Sequence, residues 1–157
     1  LLELSRLDAG ATDMNVERLD IVDLTHRIAG RYGAPNVPIS VAPRTRREVS
    51  IDKVRYERIV GNLIENAKNH GGGAVEIQIE PARDKRIRIA VIDDGPGVAQ
   101  GERERIFEPF YTTKEMGKGT GLGLSVSYGI VRDMNGTIVA KNIDGGARFT
   151  ITLPTVG

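Results

Sequence analysis

The spacing of apolar residues changes several times along this chain, and each change marks an element. From Lys53 to His70 the spacing is helical. Ile59, Val60, Leu63, Ile64 and Ala67 share one broad face, and Glu57, Gly61, Glu65 and Lys68 fall on the opposite, solvated side. A third strip, Asn62, Asn66 and Asn69 at i, i+4 and i+7 with Arg55 above it, borders the apolar face. Asparagine competes for backbone hydrogen bonds and is a mediocre helix former. Three in register therefore read either as a polar helix edge or as one wall of a site. Asp52 is placed to cap the helix, and Gly71-Gly72-Gly73 ends it.

A shorter helix is expected after Asp20, with Asp23 three residues on, an apolar stripe of Ile21, Leu24 and Ile28, and Gly33 as its stop. Strict alternation takes over in 75–79 and 87–92, as in half-buried strands, with a turn at 81–85. Short strands are expected at 37–41, an edge by its prolines, and at 48–51. Arg44-Thr45-Arg46-Arg47 between them reads as a solvated turn. Another helix spans 122–134, with Leu124, Tyr128 and Val131 on one side, and strands follow at 137–141 and 147–153, joined by Asp144-Gly145-Gly146. Between Gly95 and Gly119 periodicity is lost, apart from a short helical turn at 102–106. An irregular stretch of that length is usually a functional lid or disorder. The sum is an α+β chain: a mixed, mostly antiparallel sheet of about five strands covered on one face by three helices.

Leu1, Leu4 and Leu7 form a helical stripe with nothing preceding it to pack on. Residues 1–10 read as the tail of a helix from a neighbouring domain, 11–19 as a linker, and 20–157 as one domain. A composition of 27% charged and 39% apolar residues is that of an ordinary globular domain. A net charge of +1 argues against a nucleic-acid footprint. The absence of cysteine excludes disulfides and thiolate metal sites, and fits a reducing compartment. No apolar run has the length of a membrane span.

Three constellations could carry chemistry. Asp93-Asp94-Gly95-Pro96-Gly97 follows a strand, where a carboxylate can accept from a ligand and glycines allow close backbone approach; an ordinary turn would look the same. Gly117 to Gly123 (GKGTGLG) leads into a helix, so its N–H groups favour phosphate oxygens. A Rossmann crossover is disfavoured because no strand precedes it, and a P-loop because Gly-Lys-Ser/Thr does not close it. Phe107 and Phe110 flank Pro109 within the irregular stretch. They suit anchors of a lid in which Thr112, Thr113 and Lys114 present donors to phosphate.

Together, Asn62-x3-Asn66-Ala67, Asp93-x-Gly95-x-Gly97, Phe107-x2-Phe110 and Gly119-x-Gly121-x-Gly123-Leu124 resemble the N, G1, F and G2 boxes of the catalytic and ATP-binding domain of bacterial sensor histidine kinases. That family shares its Bergerat fold with gyrase-type topoisomerases and with chaperone and mismatch-repair ATPases. Each motif alone is weak, but four in order are specific. Residues 1–10 resemble the end of the dimerisation and histidine-phosphotransfer helix.

The resemblance implies ATP and Mg²⁺ as ligands, with Asn66 on the metal and Asn62 supporting metal and phosphates. Asp93 would accept from the adenine amine, with Gly95 and Gly97 allowing approach. The phosphates would fall to Lys118, Gly119, Thr120, Gly121, Leu122, Gly123 and Leu124, with Asn69 and His70 bordering the pocket. The γ-phosphoryl group would go to a histidine on a separate phosphotransfer domain, and a response regulator would act downstream. The parent would be a membrane-anchored homodimer with this portion in the cytoplasm, and the fragment a monomer without direct membrane contact. Neither His26 nor His70 sits in a phosphoacceptor setting, so autophosphorylation of the chain alone is not expected.

Three features depart from the family. Asn69 stands where a Lys or Arg is common, a charge that Lys114 or Lys118 could restore. Ala147 stands where related ATPases place a Thr near adenine. The Tyr-Thr-Thr-Lys lid resembles a different kinase subfamily from the first part of the chain. A self-contained ATPase of the fold would carry Glu at position 62 as a general base; a non-catalytic nucleotide-binding module is the other alternative.

Overall fold

The computed structural model describes residues 14–70, 74–94, 122–143 and 146–155. In chain order the elements are β1 (Val16–Asp20), α1 (Ile21–Arg31), β2 (Ile39–Val41), β3 (Glu48–Asp52), α2 (Lys53–His70), β4 (Ala74–Ala82), β5 (Arg86–Asp93), α3 (Leu122–Asp133), β6 (Thr137–Ile143) and β7 (Gly146–Pro154). The expected α+β sandwich is present. Five strands form one mixed sheet in the order β2-β4-β5-β7-β6, in which only the β2–β4 pair is parallel. The edges differ: β2 has three residues and lies between Pro38 and Pro43, whereas β6 has seven.

Alternation sets which face is buried. Ile87, Ile89, Val91 and then Asp93 follow one another on the same face of β5, as do Ala147, Phe149, Ile151 and Leu153 on β7. These residues meet the apolar side of α2, where Ile59, Val60, Leu63, Ile64 and Ala67 are all at most 1% exposed. The helix starts as expected, with Asp52 accepting from the Arg55 amide at 3.0 Å. Asp20 caps α1 in the same way, accepting from Asp23 N–H at 2.9 Å, and this bond holds its carboxyl below the usual range.

Four expectations need correction. Strand Val16–Asp20, all but its last residue within the expected linker, pairs antiparallel with β3. The two make a separate ribbon, so β3 is not a strand of the main sheet. The pattern VERLD does not alternate, and the strand forms through tertiary pairing. Gly61 is not on a solvated side. It is buried under the Tyr32 ring, and Glu57 bonds Arg31 across the same contact. Helix α1 lies there, and glycine carries no hydrophobic signal to announce it. Among the described side chains of α3, Ser127 and Val131 are buried, as is Met134 just past its end, whereas Tyr128 is 38% exposed. The Tyr128 ring stays outside under the Arg132 guanidinium, 5.6 Å from its centroid. The turn at 81–85 is shorter than expected, because β4 runs to Ala82.

One buried polar pair ties α1 to α2. Thr25 donates to the Ile21 carbonyl at 2.7 Å, which leaves its oxygen to accept from the Tyr56 hydroxyl at 2.8 Å. Full burial pushes the Tyr56 phenol well above its ordinary pKa.

Candidate functional site

The described parts of the expected site lie on three elements: Asn62 and Asn66 on α2, residues of α3, and the ends of β5 and β7, with α2 packed against both α3 and β5. Asn62 and Asn66 are half-buried, one turn apart on α2. The helix continues through Asn69 and His70. Arg55, at the N-terminal end of the strip, is held against Asp52 at 3.4 Å with only 19% of its side chain exposed. Asp93 is 4% exposed on the helix-covered face of β5. A carboxylate at that depth is costly unless it is hydrogen-bonded. Its neighbour in register across the ladder is Ala147, so the two positions expected around adenine are adjacent.

Two residues that the sequence did not single out help position these residues. The first is Ser127. It is fully buried on α3, and the Asn62 Nδ2 donates to its Oγ at 3.2 Å. Committing one amide proton to Ser127 fixes the plane of the Asn62 side chain, so its Oδ1 has a defined direction. The sequence signal was a serine three residues after Leu124 and four before Val131, inside an apolar stripe. Ser127→Ala should therefore release Asn62. Losing one neutral hydrogen bond amounts to about 1 kcal/mol, roughly a five-fold effect. Read out as the phosphoryl transfer that the resemblance implies, the rate is expected to fall by about that factor, with ATP affinity nearly unchanged and Ser127→Thr restoring part of the loss. Unchanged kinetics in both variants would show that Ser127 only fills space.

The second is Gly146. A Cβ there would collide with the Asp93 carbonyl oxygen and lie 3.0 Å from the Asp94 Cα. Only glycine lets β7 approach the end of β5 this closely.

Of the remaining expected site residues, Leu122, Gly123 and Leu124 form the first turn of α3. Gly95, Gly97, Phe107, Phe110, Thr112, Thr113, Lys114, Lys118, Gly119, Thr120 and Gly121 lie outside the described residues.

The donor set suits a metal carried in by a nucleotide. Among the described residues no cluster of three or more His, Cys, Asp or Glu could cage a cation. Mg²⁺ is typically held by one or two protein oxygens together with phosphates and water, and the half-buried amides of α2 can supply such oxygens.

The arrangement defines a class: a two-layer α+β domain with a polar strip on one helix and a buried carboxylate at a strand end. Residues 51–157 match the family described as histidine kinase-, DNA gyrase B-, and HSP90-like ATPase, and the chain belongs to that family. It is 40% identical over 121 residues to the two-component sensor PprA of Pseudomonas aeruginosa, a match covering 72% of this chain and 13% of that protein. Its fold is similar to the catalytic domain of histidine kinase ThkA, with a TM-score of 0.73, 26% identity, and coverage of 90% of this chain and 96% of that one. Full-length ShkA in complex with AMPPNP gives a TM-score of 0.76 at 29% identity, over 99% of this chain and 34% of that one. The chain spans less than half the length of the curated relatives it matches.

Proposed function

We propose that this chain binds Mg-ATP and donates the γ-phosphoryl group to a histidine of a separate phosphotransfer domain, as the catalytic part of a two-component sensor kinase. Mg-ATP would supply the activated phosphoryl group with its charge partly neutralised. Asn66 would give its amide oxygen to the metal, and Asn62 would support metal and phosphates. Asp93 would receive the adenine amine, and the glycine-rich segment before α3 would hold phosphates by its N–H groups.

The observation that carries this reading is Asn62 itself. An amide cannot take a proton from water, and this one is tied to Ser127. Position 62 is therefore suited to orienting ATP for an external nucleophile rather than to hydrolysis. The acceptor imidazole nitrogen forms the new P–N bond with its lone pair, the bond to the β-phosphate oxygen breaks, ADP leaves, and the other ring nitrogen gives up its proton to solvent or a base on the acceptor domain. Among the described residues no helix is long and apolar enough to cross a membrane. A cytoplasmic position beneath a membrane anchor, a homodimeric parent and a downstream response regulator belong to the same proposal.

The test mixes the chain with γ-labelled ATP, with and without phosphotransfer domains supplied in trans. Acid-labile label is expected on the supplied domain and none on the chain alone. Asn66→Ala should lower transfer by about 10- to 100-fold, the scale of one hydrogen bond or ligand to a charged group. Rapid ATP turnover without an acceptor would favour the ATPase reading, and Mg-ATP binding with neither turnover nor transfer would favour the non-catalytic nucleotide-binding module.

A further inference from the structure

Six of the thirteen arginines among the described residues are neutralised. Arg18, Arg27, Arg31, Arg47, Arg55 and Arg88 each hold a carboxylate. Arg44, Arg46, Lys85 and Arg86 form no ion pair among the described residues, and all four line one cavity of about 280 Å³. It lies where the β1–β3 ribbon diverges from the main sheet, at the ends of β4, β5 and β7 remote from Asp93. At the usual strand rise, the length of β5 puts roughly 23 Å between the two ends. The floor is apolar, formed by Val49, Pro81, Ala82 and Ile87. Among the described residues Glu48 is the only carboxylate on its wall, and it is already bonded to Arg18 at 2.8 Å.

The walls are built rather than incidental. Thr155 donates twice to the Lys85 carbonyl, from N–H at 3.1 Å and from its hydroxyl at 2.6 Å. Thr45 closes the other side by donating to the Ala42 carbonyl at 2.6 Å. The backbone gives a second, independent observation. Of the four described non-glycine residues with positive φ, three are here: Arg44 at 68°, Asp84 at 59° and Lys85 at 58°. Asp84 and Lys85 are the two central residues of the turn 83–86, closed by the Arg86 N–H donating to the Arg83 carbonyl at 3.2 Å, and with both φ angles positive glycine is the favoured second of the pair. A lysine held there against steric preference keeps an ammonium group at the cavity rim, and strained positions of this kind gather at ligand clamps.

We propose that this cavity is a binding site, separate from the nucleotide site, for a compact polyanion bearing at least two phosphoryl or carboxylate groups. Arginine forks match the geometry of both groups, and the apolar floor accommodates a short carbon skeleton between them. The cavity is small for a macromolecular groove and close to the lower limit for small-molecule pockets. Bound there, the anion bridges ribbon and sheet, and it stabilises the fold by mass action.

The test is thermal unfolding of the whole chain with inorganic pyrophosphate and with citrate, at matched ionic strength and without nucleotide, alongside amide NMR shifts. The unmodified chain should gain a few degrees in Tm with one or both probes, with shifts centred on residues 44–48 and 83–87; the more effective probe identifies the anionic group. Arg44→Ser/Arg86→Ser should lose the gain. Lys85→Gly should raise the resting Tm by about 2 °C by relieving the turn, yet weaken the anion response about ten-fold. A more stable variant that binds less cannot be dismissed as misfolded. Equal gains in every variant, shifts centred on α2 and Asp93, or no response to either probe would overturn the proposal. So would a response to polyglutamate alone, which would assign the face to an acidic protein partner.

Discussion

Asp93→Asn is expected to weaken ATP binding by about 100-fold while leaving the fold intact. The substitution preserves shape but turns an acceptor-only group into one that also donates. Asp93 is 4% exposed at the end of β5, so water cannot readily stand in for a lost bond. A hydrogen bond to a charged group contributes about 1.5–3 kcal/mol, and 1.4 kcal/mol is a factor of ten in affinity. Selectivity should fall with affinity. Guanine offers an oxygen where adenine offers an amine, so the carboxylate repels GTP and the amide does not. Calorimetry of both nucleotides with both proteins reads this directly. Undiminished ATP binding, or an unchanged ATP:GTP preference, would remove Asp93 from the adenine site.

Gly146→Ala is expected to be the most damaging glycine substitution among those with described surroundings. The new methyl group would meet backbone, not a movable side chain: the Asp93 carbonyl and the Asp94 Cα. Separating β7 from β5 at that end should destabilise the domain by about 2–3 kcal/mol, the usual range for overpacking. For a chain of this size that lowers Tm by about 8 °C. ATP affinity should fall as well at temperatures where the variant is still folded, because Asp93 is displaced. Gly30→Ala and Gly129→Ala are the controls. Nothing lies within 4 Å of either added carbon, and both positions are helical. Each should raise Tm, since alanine is the better helix residue by up to about 1 kcal/mol. If Gly146→Ala unfolds at the same temperature as the unmodified chain, the close β5–β7 approach is not required.

The parts legible in the sequence were those that a single element encodes. Helix α2 carries its own period and its own cap. Strands β4 and β5 alternate, and Asp93 continues the inward register of Ile87, Ile89 and Val91. The parts that escaped depend on contact between distant segments. Strand β1 forms because β3 lies beside it, and Gly61 is buried because Tyr32 crosses over it. Ser127 turns inward because Asn62, 65 residues earlier, supplies its partner. A helical wheel places a serine outside and a tyrosine inside, and α3 does the reverse. In the same way, Arg44 and Arg46 read as a solvated turn until the fold brings Lys85 and Arg86 of the β4–β5 hairpin to the same cavity. Gly146 shows no pattern at all, since the demand on it comes from the carbonyl of Asp93.

The unequal edges of the main sheet have a consequence for self-association. Edge strands carry open N–H and C=O groups that can template a foreign strand. Proline cannot extend a ladder, so β2, three residues between two prolines, offers little to copy. Strand β6 presents seven residues, with Val139 56% exposed and Lys141 its only charge. Aggregation by strand addition is therefore directional: it starts on the β6 side, and a second charge at Val139 is the change that would block it.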